Sequence, residues 1–177
     1  RIMFAAGLGN INFQYWQDLP LDNGLFIGFN TKATFIMLRP EREIYKKLYG
    51  GVSLTYSKAQ TGFDLPDWVP DDLKNDERNL NHLGYLFNYD IREHQMNPYG
   101  GFNIEFKNSF YREWMNNDDN FEKYELTYNH YYKIQKKESH ILATRIKANI
   151  AAGDVPFQGQ NVVGRDDIRG YTSGKHR

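Results

Sequence analysis

The chain has 177 residues, with 22 basic and 22 acidic side chains. That length makes it one domain or part of one, and the balanced charge points to no nucleic-acid partner. It has no Cys, which excludes disulfides and thiolate metal sites, and no run of about 18 apolar residues that could form a transmembrane helix. A mean hydropathy of −0.73 still leaves room for membrane strands, because strands that alternate apolar-out with polar-in average to a polar value.

Thirteen Tyr and twelve Phe against six Pro fit a β-rich chain. Residues 2–18 read as one long strand or two short ones, since Gly7-Leu8-Gly9-Asn10 can turn. Residues 24–38 put Leu25, Ile27, Phe29, Ala33, Phe35 and Met37 on one face. Residues 47–59 group Leu48, Val52, Leu54 and Tyr56, and residues 80–91 group Leu83, Tyr85, Phe87, Tyr89 and Ile91. The clearest alternation is in 101–115, with Phe102, Ile104, Phe106, Phe110 and Trp114 opposite Asn103, Glu105, Lys107, Ser109 and Glu113. Residues 121–134 repeat it with Tyr124, Leu126, Tyr128, Tyr132 and Ile134, and residues 139–152 with Leu142, Ile146, Ala148 and Ile150. A period of two sustained over such lengths predicts strands. They exceed the roughly 5–6 residues of a typical soluble strand and meet the roughly 9–11 of a tilted membrane strand.

The predicted connections alternate in length. Residues 18–23, 60–79 and 116–120 are long or acidic, whereas 39–46, 92–100 and 135–139 are short. Outer-membrane barrels pair short periplasmic turns with longer outer loops, so the acidic connections are expected to face outward. Pro66 and Pro70 in the longest would block further strand pairing. A soluble up-and-down barrel or sandwich alternates too, and periodicity alone does not say whether the apolar face points in or out.

Two motifs separate these alternatives. Tyr89-Asp90-Ile91-Arg92 runs through Asn97-Pro98-Tyr99-Gly100-Gly101-Phe102, where Pro98 fixes φ and Gly100 and Gly101 tolerate positive φ. Further on, Gly153-Asp154-Val155-Pro156-Phe157 leads to Gly164, Asp167 and then Ile168-Arg169-Gly170-Tyr171. In this order, the two resemble the strand–turn–strand and signature loop of the BamA-type outer-membrane insertase superfamily, the bacterial surface-antigen barrels. Ile91 and Glu93 depart from the family's usual Thr and Asp.

The resemblance implies an all-β fold, with residues 1–177 part of a transmembrane antiparallel barrel that has sixteen strands in the family. Residues 154–177 would be the outer loop that folds back into the lumen. Arg169 would anchor that loop on an acidic residue of the inner wall, with Ile168, Gly170 and Tyr171 beside it, and Gly153, Asp154, Pro156, Gly164 and Asp167 shaping it. A guanidinium in a confined lumen needs a carboxylate, which its fork fits bidentately. Glu105 and Glu125 are the local candidates. Asp90, Arg92, Pro98 and Gly101 would form the turn motif.

The family's role is to insert proteins into the outer membrane or move them across it, without covalent chemistry or a cofactor. The implied location is the bacterial outer membrane. The implied partners are its lipid bilayer, client outer-membrane proteins and accessory lipoproteins. A passive channel or structural barrel without clients, and a soluble ligand-binding β-barrel, are the other readings. The chain opens in a strand and stops inside a loop, with no POTRA module in view, so it reads as a portion of a longer protein.

Little else in the sequence suggests chemistry. His82, His94, His130, His140 and His176 have no metal-ligand spacing, and Asp166-Asp167 reads as a solvated pair. The run from Asp71-Asp72 to Asp76-Glu77 lacks the glycine and closing Glu of a calcium loop and reads as a solvated acidic loop. Trp114, Tyr111, Tyr131 and Tyr132 lie near strand ends, where an interfacial aromatic girdle is expected.

Overall fold

A computed structural model describes residues 2–17, 25–65, 70, 74–134 and 140–161. Among them the fold is one antiparallel sheet of strands β1 (Ile2–Gln17), β2 (Leu25–Tyr45), β3 (Leu48–Asp64), β4 (Asn75–Asn79), β5 (His82–Asp90), β6 (Gly101–Tyr111), β7 (Phe121–Lys133) and β8 (Ile141–Gly153). The order across the sheet is β1-β2-β3-β5-β6-β7-β8, with β4 also on β3. Apart from β4 and β5, which both lie on β3, each strand pairs with its chain neighbour, so successive connections fall at alternate ends. The ends of β1, β3, β6 and β8 and the starts of β2, β4 and β7 lie at one end of the sheet. The 46–47 and 91–100 connections, the end of β7 and the start of β8 lie at the other.

β4 and β5 are one strand interrupted once. Lys58 faces Asn79 and Thr55 faces His82, so the register on β3 is unbroken across Leu80-Asn81. The expected loop 60–79 is therefore much shorter. β3 runs on to Asp64, and Gln60, Thr61 and Gly62 pair with Glu77, Asp76 and Asn75. This stretch is polar on both faces, so hydrophobic periodicity could not reveal it as strand. Asp76 and Glu77, read as part of a solvated loop, alternate across β4 instead.

The expected turn at 39–46 is also strand. β2 continues to Tyr45, and the connection is Lys46-Lys47 alone, with Lys47 at φ 66° and its N–H donating to Glu43 Oε1 at 2.8 Å. Pro40 has no N–H to give a ladder, and the β2–β3 pairing skips Arg39 and Pro40 before resuming in the same register at Glu41–Gly51. Gly51 makes this close pass feasible, because a Cβ there would sit 2.5 Å from the Pro40 carbonyl oxygen. Residues 2–17 form one strand, with Gly7 facing Phe35 and Gly9 facing Ala33 in the ladder.

The two faces of the sheet differ in chemistry. Val52, Leu54, Tyr56, Leu83, Phe87, Leu142, Ile146 and Ile150 are exposed on one of them. The register lines them up strand to strand, as in Leu38–Leu54–Leu83–Phe110. The opposite face carries Thr55, Asn103, Glu105, Lys107, Glu125 and Lys147. Among the described residues only Ala59, Leu86 and Phe121 are buried hydrophobics, while Thr55, Thr61, Asn81, Asn103, Asn108 and Asn117 are buried and polar. A soluble sheet covers its apolar face; here the large side chains of that face, Leu54, Tyr56, Leu142, Ile146 and Ile150 among them, are exposed.

The polar face is concave. Arg39 on β2 reaches within 3.9 Å of Glu105 on β6, although β3 and β5 lie between them. Strands are spaced about 4.8 Å apart, so two side chains close that chord only if the wall curves toward them.

Part of one apolar group from the sequence faces inward. In β2 the exposed apolar residues are Ile36, Leu38 and Ile44, so Ala33, Phe35 and Met37 face inward. Phe35 lies against Gly7, where a Cβ would come within 2.9 Å of its ring. β2 is apolar on both faces; Ala33, Phe35 and Met37 do share a face, but period two does not tell that it is the inner one. Tyr111 and Tyr131 also belong to the polar face, beside Ser109 and Asn129 in their strands. Tyr111 stacks on Phe121 at 4.0 Å, so it is no part of an outer girdle.

Candidate functional site

The inner wall is built from amides and ion pairs. Asn129 donates to Asn103 at 3.4 Å and Asn103 to Asn88 at 3.1 Å, an amide chain across β7, β6 and β5. Arg39 pairs with Glu41 at 2.7 Å, and Lys107 with Glu105 at 2.6 Å. Glu105, a local candidate for the loop arginine, is thus already engaged by Arg39 and Lys107.

The β5–β6 turn brings together three of its four expected residues. Arg92 grips Asp90 bidentately, Nε to Oδ1 at 2.9 Å and Nη2 to Oδ2 at 2.7 Å, and its backbone N–H also donates to Oδ1 at 3.2 Å. That carboxylate holds the Arg92 guanidinium above the ordinary arginine range. Gly101 has φ +91°, and a Cβ there would meet the Ile91 carbonyl oxygen at 2.5 Å. Gly101 is the turn glycine that needs positive φ; Gly100 does not have it. Pro98 lies within the turn, and Lys133 of β7 closes over it by pairing with Glu93 at 2.8 Å.

At the other end, Gly153 turns the chain out of β8 with φ +98°. A Cβ there would sit 2.6 Å from the Asn120 carbonyl oxygen, which accepts from Asp154 N–H at 3.1 Å. Pro156 then precedes a short 3-10 turn, Phe157–Gly159. This segment goes inward over the polar face. Phe157 meets Phe63 of β3 edge-on at 5.6 Å. Gln158 Nε2 donates to Asp76 Oδ2 at 2.8 Å and Thr61 Oγ1 at 3.1 Å. Gly159 is buried against the Phe121 ring.

Gly164, Asp167, Ile168, Arg169, Gly170 and Tyr171 lie outside the described residues. Gly153, Asp154 and Pro156 are brought to one place, at the mouth formed by Asn120 and Phe121.

Sequence reasoning missed Gln158, Thr61 and Asp76. It also missed a clasp between Asn81 and Asn117. Asn117 Oδ1 accepts from Asn81 N–H at 2.8 Å, and its Nδ2 donates to the Asn81 carbonyl at 2.7 Å. Asn81 in turn donates to the Met115 carbonyl at 2.7 Å and accepts from Ser57 N–H at 2.9 Å. This clasp fills the gap where β4 breaks from β5 and ties it to the β6–β7 connection. The one sequence trace is that Asn81 falls between a charged and an apolar stretch of what is otherwise a single strand.

The chain matches no curated protein sequence and no solved structure. Residues 11–176 match the Omp85 superfamily domain, which is characteristic of bacterial outer-membrane proteins. The all-antiparallel sheet fits that match, and the chain belongs to the Omp85 superfamily.

Proposed function

We propose that this chain is part of the wall of a bacterial outer-membrane barrel that assists the insertion of proteins into that membrane or their transport across it. The observation that carries this is the path of residues 154–161, which leave β8 and lie over the polar, concave face. A strap across a water-facing wall leaves a lumen whose passage can be set by the protein itself. The exposed apolar band supplies the lipid-facing surface. Client proteins and accessory lipoproteins are the partners this role calls for. No step needs covalent chemistry, since strand pairing and burial drive a client into the bilayer.

In this proposal Arg169, with Ile168, Gly170 and Tyr171, fixes the far part of the loop to an acid of the inner wall. Reconstitution tests the role. The full-length protein in lipid vesicles should speed the folding of a small eight-stranded outer-membrane barrel diluted from urea, relative to empty vesicles. Equal folding rates with and without the protein would reject insertion and leave a passive barrel.

A further inference from the structure

Gln158 gives the strap after β8 a polar attachment far from its own strand. Gln158 Nε2 donates to both Asp76 Oδ2 on β4 and Thr61 Oγ1 on β3, and β5, β6 and β7 separate β3 from β8 in the sheet. Asp76 is shared. Its Oδ1 accepts from Arg78 Nε at 2.9 Å, and Arg78 Nη1 reaches Asp119 of the β6–β7 connection at 3.1 Å. Thr61, buried, also lies 3.0 Å from the Thr31 hydroxyl on β2. Apolar contacts add to the attachment: an edge contact between Phe157 and Phe63, and the close approach of Gly159 to Phe121. A donor on a carboxylate makes the stronger class of hydrogen bond, so Asp76 is the stronger of the two Gln158 contacts.

We propose that Gln158 and Asp76 form a latch that holds residues 154–161 across the inner wall, with Arg78 and Asp119 linking its state to the β6–β7 connection. The latch rests on the barrel reading above, since only a closed wall gives the strap a lumen to narrow. Gln158 acts by positioning the strap. Anything that draws Asp119 and Arg78 away, or competes for the Asp76 carboxylate, would loosen it.

The test uses full-length protein in outer membranes. A reporter Asn161→Cys sits at the half-buried end of the strap, in a chain that has no Cys of its own. The rate of its labelling by a membrane-impermeant maleimide is read by mass spectrometry of that peptide. Gln158→Glu sets a second carboxylate against Asp76 and should raise the rate by about tenfold, the effect of losing one charge-assisted hydrogen bond. Adding Asp76→Asn should return the rate toward the parent, because the amide then donates in the opposite direction. Gln158→Ala removes the bond without adding charge and should give the same rise. Heat-dependent gel mobility of each variant reports the barrel separately. Unchanged labelling in both Gln158 variants, or no recovery on adding Asp76→Asn, with the heat-dependent band intact, would overturn the latch and leave the barrel standing. A parent protein with no heat-dependent band would overturn the barrel reading and the latch together.

Discussion

At Gly101 the backbone sits at φ +91°, and any side chain would press on the Ile91 carbonyl. Gly101→Ala therefore adds both backbone strain and a clash, which together cost about 1–3 kcal/mol. Urea unfolding of the refolded barrel should show a lower midpoint, whereas Gly100→Ala, with no positive φ to satisfy, should show a much smaller change. Equal shifts for the two would mean that the turn does not depend on that conformation. Gly153 poses the same requirement at the mouth of the strap, with φ +98°. Both glycines were visible in the sequence as parts of motifs, but which of Gly100 and Gly101 carries the left-handed residue was settled by pairing geometry that composition does not encode. Arg169→Ala is the matching prediction for the loop. It should lower the yield of heat-modifiable barrel, and a wild-type yield and mobility would remove the anchor role.

At the scale of elements, the strands were legible wherever one face meets lipid. β5, β6, β7 and β8 alternate cleanly because most of their apolar residues belong to one exposed band, Leu86 and Phe121 being buried on the other face. The reading failed where that band ends. The end of β3 and the whole of β4 carry Gln60, Asp76, Glu77 and Arg78, pair through backbone, and left Phe63 as their one apolar trace. It failed again in β2, where Phe35 and Ile36 place aromatic and aliphatic bulk on opposite faces. The site was legible only in part: the Asp90–Arg92 clamp follows from a local motif. Gln158 on Thr61 and Asp76 is a contact between residues far apart in the chain, which one sequence cannot reveal.

The Asn81–Asn117 clasp gives this scale its own prediction. Both amides are buried, at 6% and 7% exposure, so removing either leaves backbone groups of its partner segment without a hydrogen bond. Asn117→Ala should cost about 1–3 kcal/mol in urea unfolding. The double variant with Asn81→Ala should cost clearly less than the two singles added together, since the pair acts as one unit. Simple additivity would show that the clasp does not couple the β4–β5 junction to the β6–β7 connection.

For the whole molecule, the decisive property is that the sheet is inside-out, apolar on its exposed face and polar on its concave one. Leu126 and Thr127 are adjacent in β7 and project to opposite faces, Leu126 beside Phe106 and Ala148, Thr127 between Glu105 and Lys147. Leu126→Arg puts a charge into the lipid-facing band and should cost about 2–4 kcal/mol near the bilayer middle. Thr127→Arg faces the lumen beside a carboxylate and should cost far less, as measured by folding into lipid vesicles over a urea series. A reversed order would turn the sheet around.

Membership of the Omp85 superfamily and the outward apolar band converge on one claim, that these strands are wall in a closed barrel embedded in the outer membrane. The most direct test is gel mobility of the full-length protein recovered from the outer-membrane fraction, run with and without boiling. A closed barrel keeps its strand ladder in detergent until heated, so the unboiled protein should run at a different position and shift on boiling. A protein found in the soluble fraction, with the same mobility under both conditions, would contradict the account.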